Sequence, residues 1–327
     1  IWTLAIASVV VAAVAVWLND PTTWFADNRF ELYANPTGAL QSTFSVWDTG
    51  RGLGTFRTDY WLGNTVPMVL LRGTGLSPAA TQHVWHAALI SLGGIGAASF
   101  LRCFVPRIGV SHVVTAGLYM FGPYTVSFLL PSILFLDYAL APWIFVAFYR
   151  GIHTSAWRYA AAYAFMMGLV GTAELPGVIY ASLYLVPISI YAVHIDRSCR
   201  WQDVWSWLWR AGLLLCLTLN AALYAAAIAG ELFAQNLRET EAPLSLGRNS
   251  SWAEAWRGLG GWLIYHTDIT GPARPQSRVF LTNAPAVWAT FVPAIAATAA
   301  VAMSRLRARL LMAMMMLTGL ALMTALY

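Results

Sequence analysis

Lysine is absent from this chain of 327 residues, and all 19 basic residues are arginine. Charge of either sign is scarce: 10% of residues are charged, against about 25% in soluble domains. With 59% hydrophobic residues and a mean hydropathy of +0.61, that shortage makes lipid the expected solvent for most of the chain. Also missing is the period-two alternation, over about ten residues, that marks a membrane β-barrel. Backbone groups in a bilayer core must pair internally, so the long continuous apolar runs are read as helices. The three cysteines, Cys103, Cys199 and Cys216, form no CxxC pair and have no metal-ligand spacing. Two of them, Cys103 and Cys199, fall in loops assigned below to the cytoplasm, where thiols stay reduced. No Walker motif, GxGxxG after a strand, HExxH or GxSxG occurs. ATP-driven transport, nucleotide redox chemistry and zinc proteolysis therefore have no support. No polar leader or signal-peptide cleavage site is visible. Residue 1 already lies in an apolar run and Tyr327 ends another, so a segment of a larger protein is expected.

A spanning helix needs about 20 apolar residues. Nine runs meet or approach that length: 1–18, 79–101, 110–130, 133–149, 159–171, 175–193, 211–229, 286–303 and 310–327. The short loops between them hold Arg102 and Arg107; Arg150 and Arg158; Arg197, Arg200 and Arg210; and Arg305, Arg307 and Arg309. Alternating the runs puts all ten of these arginines on one side, with only Asp196 and Asp203 against them. The positive-inside rule makes that side cytoplasmic. The net charge of +5 thus reflects topology and not a nucleic-acid partner. Two long loops, 19–78 and 230–285, then face outward. Each is longer than a connection requires, and long ordered loops are usually functional. The expected fold class is all-α: a polytopic membrane helical bundle, residues 1–327 forming one transmembrane domain, with short interfacial helices in the two loops. Trp24, Phe25 and Trp61 in the first loop, and Trp252, Trp256 and Trp262 in the second, suit the membrane surface or an aromatic belt.

Several polar residues stand where chemistry is possible. In the first loop Asp27 is flanked by Phe25 and Phe30; partial desolvation raises a carboxyl toward the range of a useful general base, while a solvated loop acid or helix cap is the plainer reading. Glu174 in GTAELPG and Asp137 near the start of the fourth run are acids at membrane depth, where a charge defaults to a functional hypothesis; pairing at the interface is the alternative. In the second loop Ser251 and Glu254 have the spacing of a capping box. Arg257 precedes Gly258 and Gly260, which let a ligand approach the backbone. Its planar fork suits phosphate oxygens, and an ion pair with Glu254 three residues earlier is the competing reading. His266 is a candidate proton shuttle or a structural histidine.

The ordered pattern Asp27-Asn28-Arg29-Phe30-Glu31-Leu32, Asn35-Pro36, Leu40, Trp47-Asp48 and Gly52–Gly54 resembles the start of the mycobacterial α-(1→3)-arabinofuranosyltransferase family. These are large GT-C glycosyltransferases. The run from Pro78 to Arg102 resembles that family's second span. Ser251 through Arg257-Gly258-Leu259-Gly260 to Trp262 and Tyr265 resembles its RGxGxW loop. The resemblance implies a GT-C fold, a decaprenyl-phosphoryl-arabinofuranose donor and an arabinan acceptor in arabinogalactan or lipoarabinomannan. It implies transfer with inversion at the extracytoplasmic face of the plasma membrane, and Asp27 as the base that takes the acceptor proton. Arg29 and Arg257 become candidates for the donor phosphate, and Asp48, Glu174, Trp256, Trp262 and His266 for substrate contacts. Glu174 rests on its own depth and not on the resemblance, and Thr55–Tyr60 departs from the family's amide-rich stretch. No cofactor or metal is expected. Some inverting GT-C enzymes use a divalent cation, and a lone Asp27 without a second nearby ligand argues against one.

Three other functions fit part of the pattern. Another GT-C enzyme, a mannosyltransferase or oligosaccharide transferase, would differ in the lipid-linked sugar consumed. A lipid-linked sugar transporter or flippase would use Glu174 and Asp137 as a proton relay, and matching broken helices in two halves would favour it. A non-catalytic scaffold would bind glycan or lipid without turnover.

Overall fold

The fold is drawn from a computed structural model. It describes residues 2–18, 31–43, 47–48, 55–56, 62–122, 125, 135–171, 178, 181–217, 252–257, 267–268, 271–272, 278–303 and 307–325. Among the described residues the regular elements are helices apart from two short antiparallel pairs. In chain order the first elements are α1 (Trp2–Leu18), α2 (Glu31–Ala34), α3 (Pro36–Thr43), β1 (Trp47–Asp48), β2 (Thr55–Phe56), α4 (Leu62–Gly73), α5 (Pro78–Leu101) and α6 (Val110–Met120). Then come α7 (Phe135–Thr154), α8 (Trp157–Gly171), α9 (Leu185–Ile190) continued by a π-helical turn (Tyr191–Ile195), and α10 (Trp201–Cys216). The last are α11 (Trp252–Arg257), β3 (Thr267–Asp268), β4 (Gly271–Pro272), α12 (Val279–Thr282), α13 (Ala284–Met303) and α14 (Ala308–Ala325). Trp47 pairs with Phe56 and Asp48 with Thr55; Thr267 pairs with Pro272 and Asp268 with Gly271.

The chain forms two compact units. One comprises Ile1–Met120, Phe128–Ser182 and Gln202–Tyr224; the other comprises Phe121–Ser127, Leu183–Trp201 and Ala225–Tyr327. In the first unit α5 is the hub and packs against α1, α4, α6 and α7. Its start is written in the sequence: Ser77 accepts from the Ala80 N–H at 3.2 Å, and Pro78 follows at the first helical position. A cap serine and an N1 proline together supply what the first turn lacks. The turn before it closes on Gly75 at φ +88°, with its N–H donating to the Arg72 carbonyl at 3.0 Å. Further along, a Cβ on Gly94 would lie 2.5 Å from Met120 Cγ, and one on Gly96 would lie 2.7 Å from Trp143 Nε1. These glycines let α6 and α7 approach closely, and the Trp143 indole donates to the Leu92 carbonyl at 2.8 Å. Between α6 and α7, Tyr119 and Tyr138 stack at 4.2 Å. Each hydroxyl donates to the other residue's carbonyl, at 2.6 and 2.8 Å.

The observed helices follow the apolar runs. Among the described residues two are long and apolar enough to cross a membrane, Pro78–Leu101 and Ala284–Met303; shorter apolar helices lie at Thr3–Leu18, Val110–Met120, Ala181–Ile195 and Ala308–Ala321. Several boundaries need correction: α7 runs to Thr154, α8 begins at Trp157 and α14 begins at Ala308, so Arg150, Arg158 and Arg309 are helical and not in loops. Helix α10 begins at Trp201, ten residues before the expected run at 211, so Arg210 is helical and not in a loop. Its first turns are amphipathic: Val204, Trp207 and Ala211 are buried while Trp205 and Trp209 are exposed. Hydropathy averaging hides such a stripe, whereas spacing of three and four residues reveals it. Inside the first long loop, α4 buries Gly63, Asn64, Thr65 and Met68 and packs on α5. Burial pushes the Cys103 thiol up from its ordinary range, with Arg150 and Arg102 pulling it back in part. That suits an unreactive cysteine.

The buried face of α10 is anchored by Trp207, which meets Phe148 and Tyr163 edge-on at 4.9 and 5.0 Å. A Cβ on Gly151 would stand 1.9 Å from its indole nitrogen. Gly151→Ala is therefore expected to destabilise the full-length protein by about 1–3 kcal/mol through overpacking. Gly117, with nothing within 4 Å of a Cβ, serves as control; Gly117→Ala should be neutral or stabilising by up to about 1 kcal/mol. Thermal unfolding in detergent checks the pair, and equal effects at both positions would refute the packing account.

Candidate functional site

Two places in the described residues concentrate polar side chains, one in each unit. In the first unit it is the N-terminal half of α5. Thr81, Gln82, His83 and His86 are all buried there, beside buried Asn64 and Thr65 of α4. Burying polar groups is costly unless they find partners, and several do. His83 Nδ1–H donates to the Ala79 carbonyl at 2.7 Å, and the ring lies 5.6 Å from Trp17. The Trp85 indole donates to Asn64 Oδ1 at 2.9 Å, which ties α5 to α4. His86 stacks on Phe135 at 5.4 Å, and Asp137 sits in the first turn of the same helix, α7. A carboxylate there is favoured by the helix dipole. Among the described residues no group of three or more His, Cys, Asp or Glu is placed to hold a metal ion.

Sequence reasoning passed over His83 and His86. The signal was present in Thr81-Gln82-His83-Val84-Trp85-His86. Ionisable residues inside an apolar run are functional candidates by default, but the apolar remainder of α5 masked them.

In the second unit Arg257 ends the short helix α11, which packs on α13 and α14. Its side chain is 6% exposed, and its guanidinium is held on three sides. Nε donates to Thr290 Oγ1 at 2.8 Å, Nη1 to Glu254 Oε1 at 2.5 Å, and Nη2 to the Phe280 carbonyl. Phe291 presents its ring 5.6 Å away. The ion pair with Glu254, one of the two expected readings, is thus formed. Arginine has five N–H donors, so one on each terminal nitrogen remains for a ligand. Beside it opens a cavity of about 300 Å³. Arg257, Trp256, Thr290 and Tyr184 line it together with an apolar wall that includes Met315 and Met316. A Cβ on Gly319 would stand 2.6 Å from the Tyr184 hydroxyl, so only glycine leaves room for that ring.

The structure places three of the eight site residues expected from sequence. Arg257 and partly buried Trp256 come together at the cavity. Asp48 lies on β1 opposite Thr55. Asp27, Arg29, Glu174, Trp262 and His266 lie outside the described residues, as does Ser251 of the expected capping box.

The family model for the N-terminal GT-C domain of α-(1→3)-arabinofuranosyltransferases matches residues 11–327. The chain belongs to this family. An α-(1→3)-arabinofuranosyltransferase of Mycolicibacterium smegmatis (strain ATCC 700084 / mc(2)155) is 26% identical, over 94% of this chain and 22% of the relative. The chain therefore spans about a fifth of the length of the curated relative that it matches. Two cryo-EM structures of the arabinofuranosyltransferase AftD from mycobacteria have the same fold. One, of a point mutant, gives a TM-score of 0.59 at 18% identity, over 99% of this chain and 28% of that one. Another gives 0.57 at 17% identity, over 98% and 26%. At such identities the likeness speaks to the GT-C fold alone.

If Arg257 and Glu254 act as a buried pair, removing one partner strands the other. Arg257→Gln is expected to cost about 3–5 kcal/mol, and the Arg257→Gln/Glu254→Gln double variant should recover part of that loss. Thermal unfolding of the four proteins closes the cycle; strictly additive losses would show that the pair carries no coupling.

Proposed function

We propose that this chain is the N-terminal membrane domain of an arabinofuranosyltransferase that uses a polyprenyl-phosphate sugar at the outer face of the plasma membrane. The match to the family's GT-C domain over residues 11–327 carries the reading. The donor is decaprenyl-phosphoryl-arabinofuranose, and the acceptor is an arabinan hydroxyl of arabinogalactan or lipoarabinomannan. Asp27, in the first long loop, takes the proton from that hydroxyl. The hydroxyl oxygen bonds to C1 of the donor sugar as the C1–O bond to phosphate breaks, and the phosphate leaves with the electron pair. Attack opposite the leaving group inverts the anomeric centre. Arg29 and Arg257 receive the phosphate, with Asp48, Glu174, Trp256, Trp262 and His266 contacting the substrates. No step requires a cofactor.

Two observations on the second unit support this assignment. The cavity beside Arg257 joins a cationic fork to an apolar wall, the pairing of surfaces that a lipid phosphate presents. It adjoins α13, which is apolar enough to cross a bilayer. The short loops between the apolar runs carry ten arginines against two acids, whereas the two long loops carry nine arginines against ten acids, a charge difference that favours an outer position for the long loops under the positive-inside rule.

The test uses the full-length protein in membranes with decaprenyl-phosphoryl-arabinofuranose and an arabinan acceptor. Asp27→Asn is expected to lower turnover by about 10²–10⁴-fold while donor binding persists. Unchanged turnover would remove Asp27 as the base. Consumption of a different lipid-linked sugar by the unaltered protein would move it to another GT-C activity.

A further inference from the structure

We propose a second lipid site at the opposite end of α5 from its polar half: a crevice between α1, α5 and α6 that takes the phosphate of an anionic phospholipid. The argument starts from one ring. His112, in the first turn of α6, is 1% exposed. Its Nδ1 accepts from the Gly109 N–H at 3.3 Å and lies 3.4 Å from Ser111 Oγ. A neutral imidazole that accepts at Nδ1 carries its proton on Nε2. That Nε2–H is buried and meets no acceptor.

The ring lines a slot of about 10 Å³ with Ser99 and Arg102, walled by Leu4, Ile95 and Ile108. A slot of that size admits one oxygen-sized group. The lining holds no acid: the imidazole N–H and the Arg102 guanidinium are both donors, and the Ser99 hydroxyl is the one neutral side chain there that can accept. Arg102 is exposed at the rim and Arg107 follows in the same loop. A phosphodiester fits this set: one non-bridging oxygen enters the slot toward Nε2, and the remaining charge stays at the rim beside the arginines. The helices that contribute Leu4 and His112 to the slot carry exposed apolar side chains, Ile6, Val9 and Val10 on α1 and Val110, Val113 and Val114 on α6. That surface suits acyl chains. Basic pockets between helix ends at the cytoplasmic side are a known form of anionic-lipid recognition. The site is independent of Asp27 and of Arg257.

The experiment reconstitutes the full-length protein into phosphatidylcholine vesicles with and without phosphatidylglycerol. It then counts lipids retained after detergent extraction by native mass spectrometry. One phosphatidylglycerol per chain is expected to outlast phosphatidylcholine. Arg102→Gln, a surface change, and His112→Phe, which keeps the ring volume without the donor, should each cut its retention by at least about tenfold. His112→Gln, which keeps an N–H, should restore most of it, which separates donor loss from misfolding. Equal retention of the two lipids, or retention unaffected by both Arg102→Gln and His112→Phe, would leave a water in the slot and overturn the proposal. Occupation by inorganic phosphate with no retained lipid would assign the site to a free anion and overturn it equally.

Discussion

Close approach of helices through α5 is the constraint on which the first unit depends. In lipid there is no hydrophobic gain from joining two apolar helices, so association rests on close packing and on interhelical hydrogen bonds. Gly93, Gly94 and Gly96 remove the side chains that would hold α6 and α7 apart. The Trp143 indole and the reciprocal Tyr119 and Tyr138 hydroxyls then satisfy backbone carbonyls across the contacts. Interiors are packed too densely to absorb added methylenes without strain. The frame is accordingly set by small residues at fixed positions more than by apolar bulk. It also explains how one helix buries a run of polar residues in its first half. Partners on α4 and α7 are already brought within hydrogen-bonding and stacking distance by the packing of the second half.

The same need to satisfy buried polar groups appears in the second unit in another form. Arg257 ends a helix of six residues, too short to stand alone. Its guanidinium reaches Thr290 of α13, the Phe280 carbonyl of α12 and Glu254 of its own helix. The side chain therefore fixes α11 against its neighbours and, by doing so, shapes one wall of the cavity. The fork has five donors and the protein uses three of them.

Much of this was legible in the sequence. Helices α1, α5, α7, α13 and α14 announce themselves by length and unbroken apolarity, and their observed bounds lie within a few residues of the runs read from hydropathy. Helix α10 was misplaced at its start because Trp205, Arg210 and Asp203 lower the average, although Val204, Trp207 and Ala211 keep helical spacing. Helix α4 hid in the first long loop for a like reason, since Asn64, Thr65 and Pro67 read as loop residues until their burial against α5 is seen. Among site residues, Arg257 and its acid partner were legible from their spacing of three on a helix. His83 and His86 were not singled out, because their meaning depends on which face of α5 is covered. The two ends of α5 differ in the same way: nothing in the order Gly109-Val110-Ser111-His112 shows that an imidazole proton will be enclosed without an acceptor.

The pairing of Arg257 bears on how the proposed transfer divides its labour. A phosphate leaving group concentrates negative charge as its bond to C1 breaks, and a catalyst must meet that charge more strongly in the transition state than in the ground state. Arg257 sits 2.5 Å from a glutamate oxygen, so its net field on a phosphate is largely cancelled even where its two remaining N–H groups point the right way. A neutralised fork can orient an anion but adds little to its stabilisation, because the Coulomb term falls with the compensating charge beside it. On the proposed reading, Arg257 is then the residue that fixes the angle of the lipid phosphate. On the same reading the remaining charge on the leaving group falls to Arg29, the other arginine proposed for the phosphate. On that reading the base and this second arginine lie two residues apart in the chain, while the orienting arginine is held in a packed helix.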